Sequence, residues 1–216
     1  MRNDLSTNGS RLVCIRHGES LWNAKSLWTG WTDIGLSEKG KKEAETACNN
    51  LSHIHFDIAF TSTLVRAKET LEIMKRKLRI ETLPTIEDAS YNERNYGIYT
   101  GKNKWDIESK VGKEEFIRIR RGWDVPIPQG ESLKDVYNRV VPAFKKNILP
   151  YIQKGSNILF VTHGNTIRAL MKFLENIPDE KISSVEIATG EVIVYTFSKE
   201  GKIVSKDTLQ ITPLPT

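Results

Sequence analysis

The chain has 216 residues, 38% of them hydrophobic and 27% charged, with a net charge of +5. That suffices for one sizeable core; no Pro/Gly/Ser-rich stretch reads as a linker, and the longest apolar runs, such as 158–161, are far too short to cross a bilayer. Cys14 and Cys48 make neither a disulfide framework nor a CxxC pair, and the basic residues alternate with Asp and Glu instead of forming a nucleic-acid tract.

Residues 1–10 are polar, carry no apolar signal segment and read as a flexible leader, so a cytoplasmic location fits and 11–216 reads as a single domain. Leu12, Val13, Cys14 and Ile15 head a predicted strand over 11–16, of the kind buried on both faces. After a polar loop, Ser37 caps a predicted helix running to about Leu51, and 57–61 is a second strand. Leu64, Ala67, Leu71 and Met74 place an apolar stripe along a helix over 64–78, whose basic end at 75–79 offsets the helix dipole. A third strand is expected over 82–86. Residues 91–101 are irregular, 103–121 are helical with a break at Gly112, and 126–130 form a turn. Leu133, Val136, Val140, Phe144 and Ile148 predict one long amphipathic helix in which Pro142 removes a hydrogen bond and introduces a kink. The most strand-like segment, 157–162, runs directly into a helix bearing Ile167, Leu170, Met171 and Leu174, and strands over 191–198 and 203–210 complete the chain. Such alternation predicts an α/β fold, a mostly parallel central sheet with helices on both faces and ligands at the carboxyl ends of its strands.

Two histidines stand where such a site belongs. Arg16-His17-Gly18-Glu19 alone reads as a strand-end histidine held by backbone hydrogen bonds, but Thr162-His163-Gly164-Asn165 occupies the equivalent position after another buried strand. Both imidazoles therefore emerge at one sheet edge beside glycines that allow close ligand approach. An imidazole attacks phosphorus only when neutral, and Arg16 alongside disfavours its protonated form while holding phosphate oxygens. Arg66, early in a helix that follows a strand, divides about evenly between a surface arginine and a member of the same anion site. Glu93 is either half of an exposed pair with Arg94 or, by its place after the third strand, a site carboxyl that holds its proton next to a phosphate dianion and serves as general acid. Residues 35–42 approach a nucleotide-binding loop, but Lys42 stands where Ser or Thr is required and the segment is helical. His53 and His55 have no partner motif at metal-ligand spacing and read as a solvated turn.

The run from Leu12 through Arg16-His17-Gly18-Glu19-Ser20 to Trp22-Asn23 resembles the Arg-His-Gly signature of the histidine phosphatase superfamily, in its cofactor-dependent phosphoglycerate mutase branch. The likeness continues through Trp28-Thr29-Gly30-Trp31, Arg66-Ala67, Asn92-Glu93-Arg94, Tyr96-Gly97, Asn103-Lys104, Arg120-Arg121, Glu131-Ser132-Leu133, Thr162-His163-Gly164-Asn165 and Thr189-Gly190, over nearly all of 11–198. It implies a phosphoglycerate mutase-like domain in which His17 carries a phosphoryl group, Arg16, Arg66 and His163 hold it, and Glu93 is acid and base. By position it also implies substrate contacts from Asn23, Thr29, Gly30, Arg94, Tyr96, Lys104, Arg120, Arg121, Gly164 and Asn165. The implied reaction interconverts 2- and 3-phosphoglycerate in glycolysis and gluconeogenesis, primed by 2,3-bisphosphoglycerate, with no metal, no nucleic acid and no membrane partner; assembly stays open, a homodimer included. The alternative is a phosphatase of the same superfamily that passes the phosphoryl group to water. Two departures bear on that choice: the connection between 123–126 and 131–133 is shorter than in many mutases, and 209–216 lacks a long basic tail, so less material covers the site against water. Tyr91, where leucine is common, reads as a packing change.

Overall fold

The computed structural model describes residues 9–209, so residues 1–8 of the expected leader lie outside the described part. The leader's last residue is not loose: Ser10 is buried, and its carbonyl accepts the Phe197 N–H at 2.8 Å.

Among the described residues, six strands form one sheet: β1 Arg11–Arg16, β2 Ile58–Thr61, β3 Thr85–Glu87, β4 Ile158–Thr162, β5 Val192–Phe197 and β6 Ile203–Leu209. Their order is β3-β2-β4-β1-β5-β6, with the first four mutually parallel, β5 antiparallel to β1 and β6 antiparallel to β5. The β1 run is apolar throughout because both faces are covered. Leu12 and Cys14 pack against α6 (Leu133–Ala143) and α8 (Gly164–Leu174), whereas Val13 and Ile15 meet α2 (Glu38–Ala47) and α3 (Val65–Leu78) on the other face. Alternation along an extended strand produces this division, and all four residues are fully buried. Ser37 caps α2 as expected, its hydroxyl accepting the Gly40 N–H at 3.0 Å. Gly112 separates α4 (Lys104–Val111) from α5 (Lys113–Arg121) with a φ of 82°, which a side chain resists.

Three local expectations need revision. The polar loop after β1 contains a single helical turn, α1 (Leu21–Ala24), held by a capping box between Ser20 and Asn23. β3 is three residues long and starts at Thr85, since the Ile80 and Leu83 amides close tight turns before it. The segment over 133–148 is not α-helical throughout: α6 holds Pro142 and passes into a π-helical stretch, Phe144–Ile148, in which the Leu149 N–H reaches back to the Phe144 carbonyl, and then into α7 (Leu149–Gln153). Pro142 has no N–H to give the Asn138 carbonyl one turn earlier, so the ladder of α6 lacks that bond. Among the described residues, no helix is long and apolar enough to cross a membrane.

Candidate active site

β2, β4 and β1 lie side by side and parallel, so the residues after each emerge at one edge. β1 delivers His17, β4 delivers His163, and the β2 turn delivers Ser62 and, at the start of α3, Arg66. Gly18 lets the α2 backbone close on this edge: a Cβ there would stand 2.1 Å from the Gly40 carbonyl oxygen, and one on Gly40 would stand 2.0 Å from that of Glu19. The glycine that made 35–42 look like a nucleotide loop is therefore a packing contact beneath the first histidine.

His17 is 2% exposed. Its Nδ1 lies 2.7 Å from the Gly18 carbonyl oxygen, which can only accept, so Nδ1 carries the proton. Nε2 is left with its lone pair, and the Arg66 Nε–H donates to it at 3.3 Å. Burial, then the positive charges of Arg66 and Arg16, hold the His17 pKa well below the ordinary imidazole value. The ring is neutral at pH 7, the state a nucleophile requires. His163 is equally buried and depressed for the same first cause; its ring lies 4.9 Å from that of His17, and its Nε2 is 2.6 Å from Ser62 Oγ.

Arg66 is no surface arginine. It is 1% exposed, and beyond His17 its guanidinium donates to the carbonyls of Gly30 at 2.8 Å and Thr32 at 3.2 Å. Burial lowers its pKa to about 10, which still leaves it charged at neutrality. Arg16 donates from Nη1 to the Ile187 carbonyl at 2.6 Å, while its buried Nε has no partner among the described residues and is a donor available to an anion. Gly164 leaves room for that side chain, since a Cβ there would already touch Arg16 Nε at 3.4 Å.

Glu93 is buried, which removes the exposed-pair reading. Its Oε1 accepts from the Arg94 N–H at 2.7 Å, the Asn165 Nδ2–H at 3.0 Å and the Asn165 N–H at 3.3 Å. Asn165 Nδ2 also donates to the Tyr96 hydroxyl oxygen at 2.8 Å, and the amide is oriented by Arg168, whose Nη1 donates to Asn165 Oδ1 at 2.9 Å.

These side chains enclose one cavity, joined by Asn23, Thr29, Gly30, Lys104, Arg120 and Arg121. His163 stands behind its wall, against His17 and Ser62. Arg94 does not belong: its guanidinium turns away and donates to the carbonyls of Glu131, Ile119 and Val125, at 2.5, 3.0 and 3.4 Å. It is an internal brace for the turn after α5, not a ligand contact. Arg94→Met is therefore expected to strip three buried carbonyls of donors and lower stability by about 3 kcal/mol, with substrate KM within about twofold of wild type; a stable protein with a raised KM would restore Arg94 to the site.

Trp28, Arg168 and Ile187 also form the cavity wall, with Ser62 behind it, and none of the four is a site residue expected from the sequence. Arg168 had a usable signal, since it lies three residues from Asn165 on the same helix face. In all, six of the lining residues are Arg or Lys (Arg16, Arg66, Lys104, Arg120, Arg121 and Arg168) and one, Glu93, is acidic. That imbalance selects a small ligand with several negative charges, held around a neutral imidazole. Among the described residues, no group of three or more His, Cys, Asp and Glu could hold a metal ion.

The sequence profile of the histidine phosphatase superfamily (branch 1) matches residues 12–208. The chain belongs to this superfamily. A phosphoglycerate mutase of Schizosaccharomyces pombe is 46% identical over 91% of this chain and 94% of its own length. A 2,3-bisphosphoglycerate-dependent phosphoglycerate mutase of Parvibaculum lavamentivorans is 43% identical over 92% and 95%. Among solved structures, Bacillus stearothermophilus YhfR superposes with a TM-score of 0.78 at 27% identity, covering 90% of this chain and 94% of that one. Within the superfamily frame, the α/β architecture expected from the element order is the one found.

Proposed function

We propose that this chain is a 2,3-bisphosphoglycerate-dependent phosphoglycerate mutase, an isomerase that interconverts 2- and 3-phosphoglycerate in glycolysis and gluconeogenesis, works in the cytoplasm and needs no metal. The observation that carries the reading is His17 Nε2, unprotonated and buried, facing a cavity with six cationic side chains and one carboxyl group. The relatives at 46% and 43% identity, named as mutases over nearly their whole length, support it. 2,3-Bisphosphoglycerate supplies the phosphoryl group that charges His17, and its two phosphates and carboxylate suit the cationic wall and the unpartnered Arg16 Nε.

His17 Nε2 attacks phosphorus; the N–P bond forms, the ester O–P bond breaks, and Glu93 gives its proton to the leaving oxygen. As Nε2 takes up phosphorus, the Arg66 N–H now directed at it turns to a phosphate oxygen, where Arg16 joins it, while His163 backs the His17 ring from behind the wall. In the return step Glu93 takes the proton of the attacking substrate hydroxyl, and the N–P electron pair returns to Nε2. A 2-hydroxyl acceptor on 3-phosphoglycerate, followed by reorientation and return of the 3-phosphate to His17, yields 2-phosphoglycerate.

Phosphorus NMR of the purified protein with 3-phosphoglycerate and catalytic 2,3-bisphosphoglycerate tests this directly. Conversion to 2-phosphoglycerate is expected; inorganic phosphate as the sole product would mean a phosphatase, and no reaction would reject both.

Lys104 gives the site a pH dependence. Burial, then repulsion from Arg120 and Arg16, lowers its pKa to about 8, so below that pH it is charged and attracts the anion, and above it the free enzyme loses that charge. KM for 3-phosphoglycerate is expected to climb as pH rises from 7 to 9. In Lys104→Arg, which keeps its charge, the alkaline rise should flatten; an identical KM profile in both proteins would exclude Lys104 as its source.

A further inference from the structure

Glu131 lies at the end of the short 123–131 connection and Arg139 on α6, and neither lines the cavity. Arg139 grips the Glu131 carboxylate with two hydrogen bonds, Nε to Oε1 at 2.7 Å and Nη2 to Oε2 at 2.9 Å. The same guanidinium donates to three carbonyls of the segment that carries Glu93: Nη1 to Ser90 and Asn92, and Nη2 to Glu93 itself, each at 2.9 Å. Glu131 holds the other flank, its Oε2 accepting the Asn95 N–H at 2.8 Å and its own N–H donating to the Asn95 carbonyl at 2.9 Å.

The backbone on both sides of Glu93 is thus fixed by one ion pair, with side chains 20% and 16% exposed. Arg139 spends all its bonds on aligned carbonyls and a carboxylate, a planar fork that an ammonium cannot reproduce. Among the described contacts it makes none with His17, His163 or the phosphate-facing arginines. Its charge helps hold the His163 pKa down, and its contacts toward the cavity run through the loop of Glu93.

We propose that Arg139, locked by Glu131, is a positioning residue that sets the reach of the Glu93 carboxyl group; this rests on Glu93 being the acid and base. Misplacing a reacting group by about 1 Å costs on the order of a hundredfold in rate. Loss of the clamp therefore lowers turnover while the cavity wall that binds substrate stays in place.

The test is a cycle of wild type, Arg139→Met, Glu93→Gln and the double variant, each followed by rapid-quench phosphoryl transfer and steady-state KM. Arg139→Met is expected to slow transfer by about a hundredfold with KM within about threefold, and to add less than about threefold once Glu93 is glutamine. Equal losses in both backgrounds would overturn the proposal. Hydrogen exchange of the Arg94 and Asn95 amides reads the clamp independently of the chemistry and should speed up in Arg139→Met. Unchanged exchange overturns the clamp itself, whereas wild-type transfer in Glu93→Gln with faster exchange overturns the acid–base reading on which it rests. Should Arg139→Met fold poorly, Glu131→Gln removes the charge and keeps the shape; it should show the same coupling to Glu93 at smaller size, and its absence counts against the clamp.

Discussion

His17→Ala is expected to abolish turnover, a loss of at least about four orders of magnitude. No other cavity side chain combines a lone pair at neutral pH with a position among the arginines: the other imidazole nearby, His163, stands behind the cavity wall with its Nε2 on Ser62. The fold should survive, since the sheet and both apolar layers do not depend on the imidazole. After treatment with 2,3-bisphosphoglycerate, mass spectrometry of wild type should find an acid-labile phosphate on His17. Labelling of the same stoichiometry in His17→Ala would place the nucleophile elsewhere and reject the mechanism.

Glu93→Gln is expected to reduce turnover by about two to four orders of magnitude, with KM near normal. A glutamine oxygen can still accept the three N–H bonds that reach Oε1, so the loop and the Asn165 amide keep their places. What is lost is a group that gives and takes a proton. Rapid-quench measurement of transfer to and from His17, together with Tm, separates chemistry from folding. Slow transfer in a normally stable protein is the expected result; a wild-type transfer rate would remove Glu93 from the mechanism.

Much of this is legible in the sequence alone. The fully buried β1 run, the Ser37 cap, the break at Gly112 and the two strand-end His-Gly pairs all rest on signals within a few residues, and each appears where expected. So does the convergence of His17 and His163, because two buried strands in one parallel sheet end at the same edge. Apart from the family resemblance, local spacing alone leaves Arg66 and Glu93 open. Each had a bland surface reading, and only the packing of α3 on β2 and of the 90–95 loop on α6 decided against it.

Arg94 marks where local reasoning stops. It follows Glu93 in the chain and matches a substrate contact by position, yet its guanidinium meets carbonyls 25, 31 and 37 residues away. Arg139 reaches back 46 to 49 residues to the loop of Glu93, and Ser62 meets His163 across 101. Strands, caps and strand-end positions follow from periodicity and backbone chemistry that neighbouring residues supply. The direction of a long, charged side chain follows from which unpaired carbonyls or carboxylates the fold brings within hydrogen-bond reach, because a buried guanidinium must satisfy its donors wherever the acceptors lie. Those acceptors belong to distant segments, so only the assembled tertiary structure assigns them.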